Sequence, residues 1–96
     1  MNFPNDVSSF VSSRFPKSEQ MEAYSLLSEA FIERGGQSPA RLLRCAAFAS
    51  DGSLVTLKYY VSLLKIDWRD VIVAGEYELQ GKDLVRVRDL NQPLQV

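Results

Sequence analysis

Residues 53–66, SLVTLKYYVSLLKI, place apolar side chains on two separate faces of one helix. Leu54, Leu57, Val61 and Leu64, flanked by Tyr60, form one stripe at spacings of three and four, while Val55, Tyr59, Leu63 and Ile66 form a second. Only Lys58, Ser62 and Lys65 are left as a narrow polar strip. A helix apolar nearly all round is covered on more than one side. The chain has 96 residues, and a domain of that size buries only about 60–70% of the surface its unfolded form exposes. Such a helix is then either the centre of a small bundle or a helix partly covered by another subunit. We assign the first stripe to the core of the chain itself and treat the second as the candidate interface.

The rest of the sequence supplies helices to pack around it. Asn5 or Asp6 is placed to cap a short helix carrying Val7, Phe10, Val11 and Phe15, which Pro16 ends. A second helix, over about 18–34, opens at Ser18 and closes at Gly35-Gly36, with Ala23, Tyr24, Leu27, Ala30 and Phe31 inward and Glu22, Glu29 and Glu33 outward. Ser38-Pro39 joins a side-chain acceptor to a residue without an N–H, the pattern of a helix start, and predicts a third helix over about 39–50. There Leu42, Leu43 and Cys45 read as core, Ala46, Ala47 and Ala49 permit close helix approach, and Arg41, Arg44 and Phe48 share the opposite face, where an arginine can cover the ring. Asp51-Gly52-Ser53 is a tight turn into the two-faced helix.

Asp67 is placed to cap a fifth helix with Trp68, Val71, Ile72 and Gly75 on its apolar face and Arg69 and Glu76 together on the flank. Tyr77 to Gln80 is either that helix's last turn or the first arm of a hairpin turning at Gly81-Lys82. Leu84 to Arg88 alternates like a strand, and Pro93 keeps the tail extended. The expected fold is mainly α: a compact bundle of about four to five short helices with a short C-terminal β-strand or hairpin. It is read as one domain, 1–96, with an N-terminal short helix and arm (1–17), a helical core (18–79) and an extended C-terminal segment (80–96).

Composition narrows the functional classes. The chain is 46% hydrophobic and 24% charged with a formal net charge of −1, so it has no general attraction for phosphate backbones or anionic lipid. It has one cysteine and no histidine, which removes an internal disulfide and the commonest general base and metal ligand. The segment MNFPNDVSSF lacks the basic and long apolar stretches of a secretion signal, and no run of ~18 apolar residues is present to span a membrane. These features lead us to expect a cytoplasmic protein with no membrane partner. No phosphate loop, dinucleotide loop, nucleophile elbow or paired C-x-x-C occurs, so no catalytic, cofactor-binding or metal-ligating residue is assigned and no cofactor is expected.

Three other patterns have a plain reading beside a functional one. The helix, D-G-S turn and helix over 39–66 invite comparison with a DNA-binding helix-turn-helix, but the second helix offers only Lys58 and Lys65 to a groove; two packed core helices account for it better. Arg86 and Arg88 lie two apart on the expected strand, and with Arg69 and Lys82 they make a candidate patch for an anionic small molecule. Glu76, Glu78, Asp83 and Asp89 are interspersed among them as alternative partners. Asp67 and Asp70 are accounted for by capping.

The stretches D-G-S-L-x-x-L-K-Y-Y-V at 51–61, D-W-R-D-V-I-V-A-G-E-Y at 67–77 and R-V-R-D-L-N-Q-P-L at 86–94 resemble short bacterial proteins of unknown function that share a D-x-R-D-V-I helix, an E-Y pair and a final R-D-x-x-x-P segment. The resemblance covers roughly 40–94, implies a bacterial protein and carries over no functional residue. From the residues themselves, the leading reading is a small non-enzymatic protein-interaction or self-association module. Its expected partner is a second copy or another protein, engaged through Val55, Tyr59, Leu63 and Ile66. The alternatives are a ligand-binding or regulatory domain using Arg69, Arg86 and Arg88, and, less favoured, nucleic-acid binding.

Overall fold

Two of the four helices start where a serine oxygen caps the first turn. Ser38 Oγ accepts the Arg41 N–H at 3.1 Å at the head of α3 (Pro39–Ser50), and Ser53 Oγ accepts the Thr56 N–H at 3.3 Å ahead of α4 (Leu54–Glu76). The computed structural model describes residues 3–95. Ahead of these helices lie α1 (Asn5–Arg14) and α2 (Lys17–Glu29), and behind them a hairpin of β1 (Tyr77–Gln80) and β2 (Asp83–Arg86). The architecture is therefore mainly helical with a C-terminal antiparallel hairpin, in one compact body. No helix among the described residues is long and apolar enough to cross a membrane.

Several boundaries differ from the sequence expectation. Neither Asn5 nor Asp6 caps α1, whose N-cap is Pro4; Asp6 instead sits in the first turn and binds elsewhere. Likewise Pro16, and not Ser18, precedes α2, and no side chain caps it. That helix ends at Glu29 instead of near 34. Ala30 N–H is shared between the Leu26 and Leu27 carbonyls, and the chain then departs into an irregular segment that reverses at an Arg34–Gln37 bridge. Gly35 lies so close to the Trp68 indole that a Cβ there would overlap the ring. Gly35 and Gly36 form the turn of this bridge and cap no helix.

The expected fourth and fifth helices abut without a loop. Asp67 alone leaves helical geometry, at φ −151° and ψ 94°, so α4 kinks there while its bonds run on either side. Asp67 Oδ1 accepts the Arg69 N–H at 3.2 Å, which is the expected capping contact made inside a continuous element.

The core lies between α3 and α4, with α1 and α2 closing it from one side. Phe10, Leu27, Leu42, Leu43, Leu57 and Leu64 are its largest fully buried apolar side chains. Gly75 explains how closely α3 and α4 approach: a Cβ on it would lie 2.7 Å from Cys45 Cα. The tail is part of the same body, since Leu90 and Leu94 are buried in the cluster.

The segment 77–80, open between helix and strand in the sequence, is a strand. It pairs Tyr77 with Arg86, Glu78 with Val85, Leu79 with Leu84 and Gln80 with Asp83 around a two-residue Gly81-Lys82 turn. Gly81 takes φ +63° at the first turn position, a conformation that suits the twist of a tight hairpin and that glycine adopts without strain.

Candidate functional site

The two stripes of α4 have different fates. Leu57, Val61 and Leu64 are buried and Leu54 is half-buried against the core. On the outer side Val55 is 80% exposed, Tyr59 61% and Ile66 81%. Leu63, counted with them from the sequence, is half-buried and packs on the core margin. The outer face of α4 is thus Val55, Tyr59 and Ile66, with Tyr59 resting edge-on against Tyr60 at 5.2 Å between ring centres. Lys58, beside this face, pairs with Glu22 of α2 at 2.9 Å and ties the two helices together at the surface.

A second apolar surface lies on the hairpin. Leu79 and Leu84 face each other across the strands and both are exposed, as are Val85 and Val87. All four residues of β2 are exposed. Tyr77, at the root, is the hairpin residue that packs against the core.

That root is held by a buried charge. Glu76, the last residue of α4, has no exposed surface. It accepts from Arg41 Nε at 2.9 Å and Arg41 Nη2 at 2.8 Å, from Arg86 Nε at 2.9 Å and from the Leu90 N–H at 3.0 Å. Burial opposes its ionisation, but the Arg41 guanidinium, the Leu90 amide and Arg86 hold the carboxyl below the usual carboxylate range. Arg41 is correspondingly held above its ordinary value by the same hydrogen bonds. Burial, reinforced by the Glu76 charge, pushes the neighbouring Cys45 thiol up to about 12, so it is a packed, protonated group and no nucleophile.

A second ionic contact binds the two ends of the chain. Arg44 donates to Asp6 at 2.8 Å and to the Asn91 carbonyl at 3.2 Å, and Asp6 in turn accepts the Leu94 N–H at 2.9 Å. Burial works against the Asp6 charge, yet Arg44 and the Leu94 amide keep its carboxyl below the ordinary range.

The arginines of the candidate anion patch each pair with an acid of the chain itself. Arg69 pairs with Asp67 at the kink, 3.0 Å apart. Arg86 reaches Glu76 and, at 2.8 Å, Asp89. Arg88 donates to the Gly75 carbonyl at 2.7 Å and pairs with Glu78, while its guanidinium covers the Phe48 ring at 4.2 Å. The ring on α3 is therefore covered by an arginine from the tail, not by Arg41 or Arg44. A shallow cavity of about 300 Å³ lies beside this stack, bordered by Phe48, Arg88, Leu90, Pro93 and Leu94. It is at the small end of ligand sites, and its one cation already has partners within the chain. Among the described residues no cluster of three or more acids or cysteines is arranged to hold a metal.

Sequence reasoning placed Glu76 on a helix flank with Arg69 and named it among the alternative partners of Arg86, which it is. It missed the burial of Glu76 and its bonds to Arg41 on α3 and Leu90 in the tail, because helical spacing reads only local neighbours. One signal was available: a glutamate directly after Gly75, on the helix face that must meet α3. No family model, no curated protein and no solved structure matches this chain. No function, partner or origin therefore comes to it from a relative.

Proposed function

We propose that the protein is a non-enzymatic self-association module whose apolar outer surfaces join it to a second copy. The observation that carries this reading is the outer face of α4, where Val55, Tyr59 and Ile66 stand 80%, 61% and 81% exposed. Aligned apolar side chains of this kind, left in water by a chain with a complete core elsewhere, mark a protein contact surface. The hairpin adds Leu79, Leu84 and Val85 to the apolar surface available for such contact. Small domains also gain stability by association, since a folded chain bound to a partner is withdrawn from unfolding. The anion-binding alternative is less favoured because Arg69, Arg86 and Arg88 each already face an acidic side chain of the chain itself. The nucleic-acid reading meets α4 lysines of which Lys58 is already paired with Glu22.

Sedimentation velocity from ~1 to ~100 μM tests self-association directly, because dimer formation by mass action shifts the sedimentation coefficient upward across that range. A concentration-independent monomer would overturn the reading.

A further inference from the structure

We propose that two copies join edge to edge along β2, forming a four-stranded antiparallel sheet with Val85 of each copy on the two-fold axis. This rests on the self-association reading and places its seam on the hairpin, the second apolar surface, and not on the outer face of α4. The first support is the parity of the ladder. The register of the hairpin, with the Val87 N–H on the Glu76 carbonyl at 2.8 Å, makes 78/85 and 80/83 the hydrogen-bonded pairs. Leu84 and Arg86 therefore turn their N–H and C=O groups outward, and among the described residues these groups have no partner. The opposite edge is incomplete: Tyr77 commits its N–H to the Val73 carbonyl as the last bond of α4.

The β2 strand reads Asp83-Leu84-Val85-Arg86, without proline or bulge, and the nearest lysine, Lys82, lies in the turn. A two-stranded sheet is also one strand short of what stands well alone in water.

Charge then selects the register. Outward-facing Leu84 and Arg86 allow three antiparallel alignments of β2 on its copy. Centring on Leu84 sets Arg86 against the partner's Lys82, and centring on Arg86 sets it against its own copy; both oppose like charges, which destabilises a strand pair. Centring on Val85 sets Leu84 against the partner's Arg86, Asp83 against the partner's Val87 and Val85 against itself; Lys82 then lies opposite the partner's Arg88, outside the strand, where Glu78 and the Phe48 ring already hold the guanidinium. Only this alignment pairs every β2 residue without a like-charge contact, and it covers the exposed Val85 and Val87.

A cysteine at the axis tests the geometry. Two cysteines in a directly opposed, non-hydrogen-bonded pair have Cβ atoms about 4.5–5.5 Å apart, close to disulfide reach. Val85→Cys should form a linked dimer under mild oxidation roughly tenfold faster than Gln80→Cys on the other strand, by proximity alone. Cys45 is buried and does not compete. Leu84→Pro removes only an outward N–H and should weaken the dimer by roughly tenfold or more, one donor being lost from each copy. If the protein dimerises but Val85→Cys links no faster than Gln80→Cys, the β2 seam is overturned and self-association stands. The seam is likewise overturned if Ile66→Glu abolishes the dimer while Leu84→Pro leaves it intact. A monomer up to ~100 μM overturns both readings.

Discussion

The two ends of α4 invert the usual arrangement of polarity. Near its start, Val55, Tyr59 and Ile66 stand in solvent; at its end, Glu76 is charged and has no exposed surface. The burial is tolerated because four donors converge on one carboxylate: two from Arg41, one from Arg86 and the Leu90 amide. A buried charge with its partners in place costs little, whereas the same charge without them is expensive. The apolar end has no such compensation within the chain, which is why it directs attention outward. One helix thus joins a closed structural junction to an exposed apolar face.

The largest test of that contrast is Glu76→Ala. Removing the acid takes away the acceptor shared by two guanidiniums and an amide at the root of the hairpin, and urea unfolding should show a loss of about 3–5 kcal/mol. A loss below ~1 kcal/mol would mean the junction is wet and the contrast false. Leu57→Ala, on the core stripe of the same helix, should cost about 2–5 kcal/mol by transfer and cavity.

Acid should dissolve the junction without mutation. Glu76 and Asp6 have depressed carboxyls in the folded state. Their stabilising contribution is therefore present above the unfolded values of about 4.3 and 3.9 and lost as pH falls through the lower folded ones. The melting temperature should hold from neutrality to about pH 5 and then decline. In Glu76→Gln the decline should be shallower; an unchanged slope would assign it to other carboxylates.

Gly75→Ala tests the close approach of α3 and α4. The added methyl meets the Cys45 backbone, so a gain of about 1 kcal/mol in helix propensity is outweighed and a net loss of about 1–2 kcal/mol is expected in urea. The smallest effect belongs to the outer face. Val55→Ser, Tyr59→Ser and Ile66→Ser should each leave unfolding of the dilute monomer within about 0.5 kcal/mol of the parent chain. A larger loss would show that these side chains are buried and would remove the α4 contact surface.

Much of the fold was legible because it is local. Ser38-Pro39 and Ser53 announced two helices through capping that needs only the next three residues, and Asp67 announced the break in α4 in the same way. The 3.6-residue period of Leu57, Val61 and Leu64 identified the inward stripe. The candidate surface was legible only in part. Periodicity put Leu63 with Val55, Tyr59 and Ile66, because it reports direction around a helix and not how far the neighbouring packing spreads.

What the sequence determined by itself is most of the set of elements: where α3 and α4 start, which side of α4 faces inward, and the extended character of the segment after Gly81. What tertiary structure decided is every matter settled by residues far apart in the chain. Trp68 against Gly35 accompanies the early end of α2, Arg41 and Leu90 turn Glu76 from a surface acid into a buried anchor, and Asp6 leaves helix capping for Arg44 and Leu94. The physical reason is one of range. Capping, turn geometry and periodicity act within a few residues, whereas burial and ion pairing depend on which distant segments arrive at the same point.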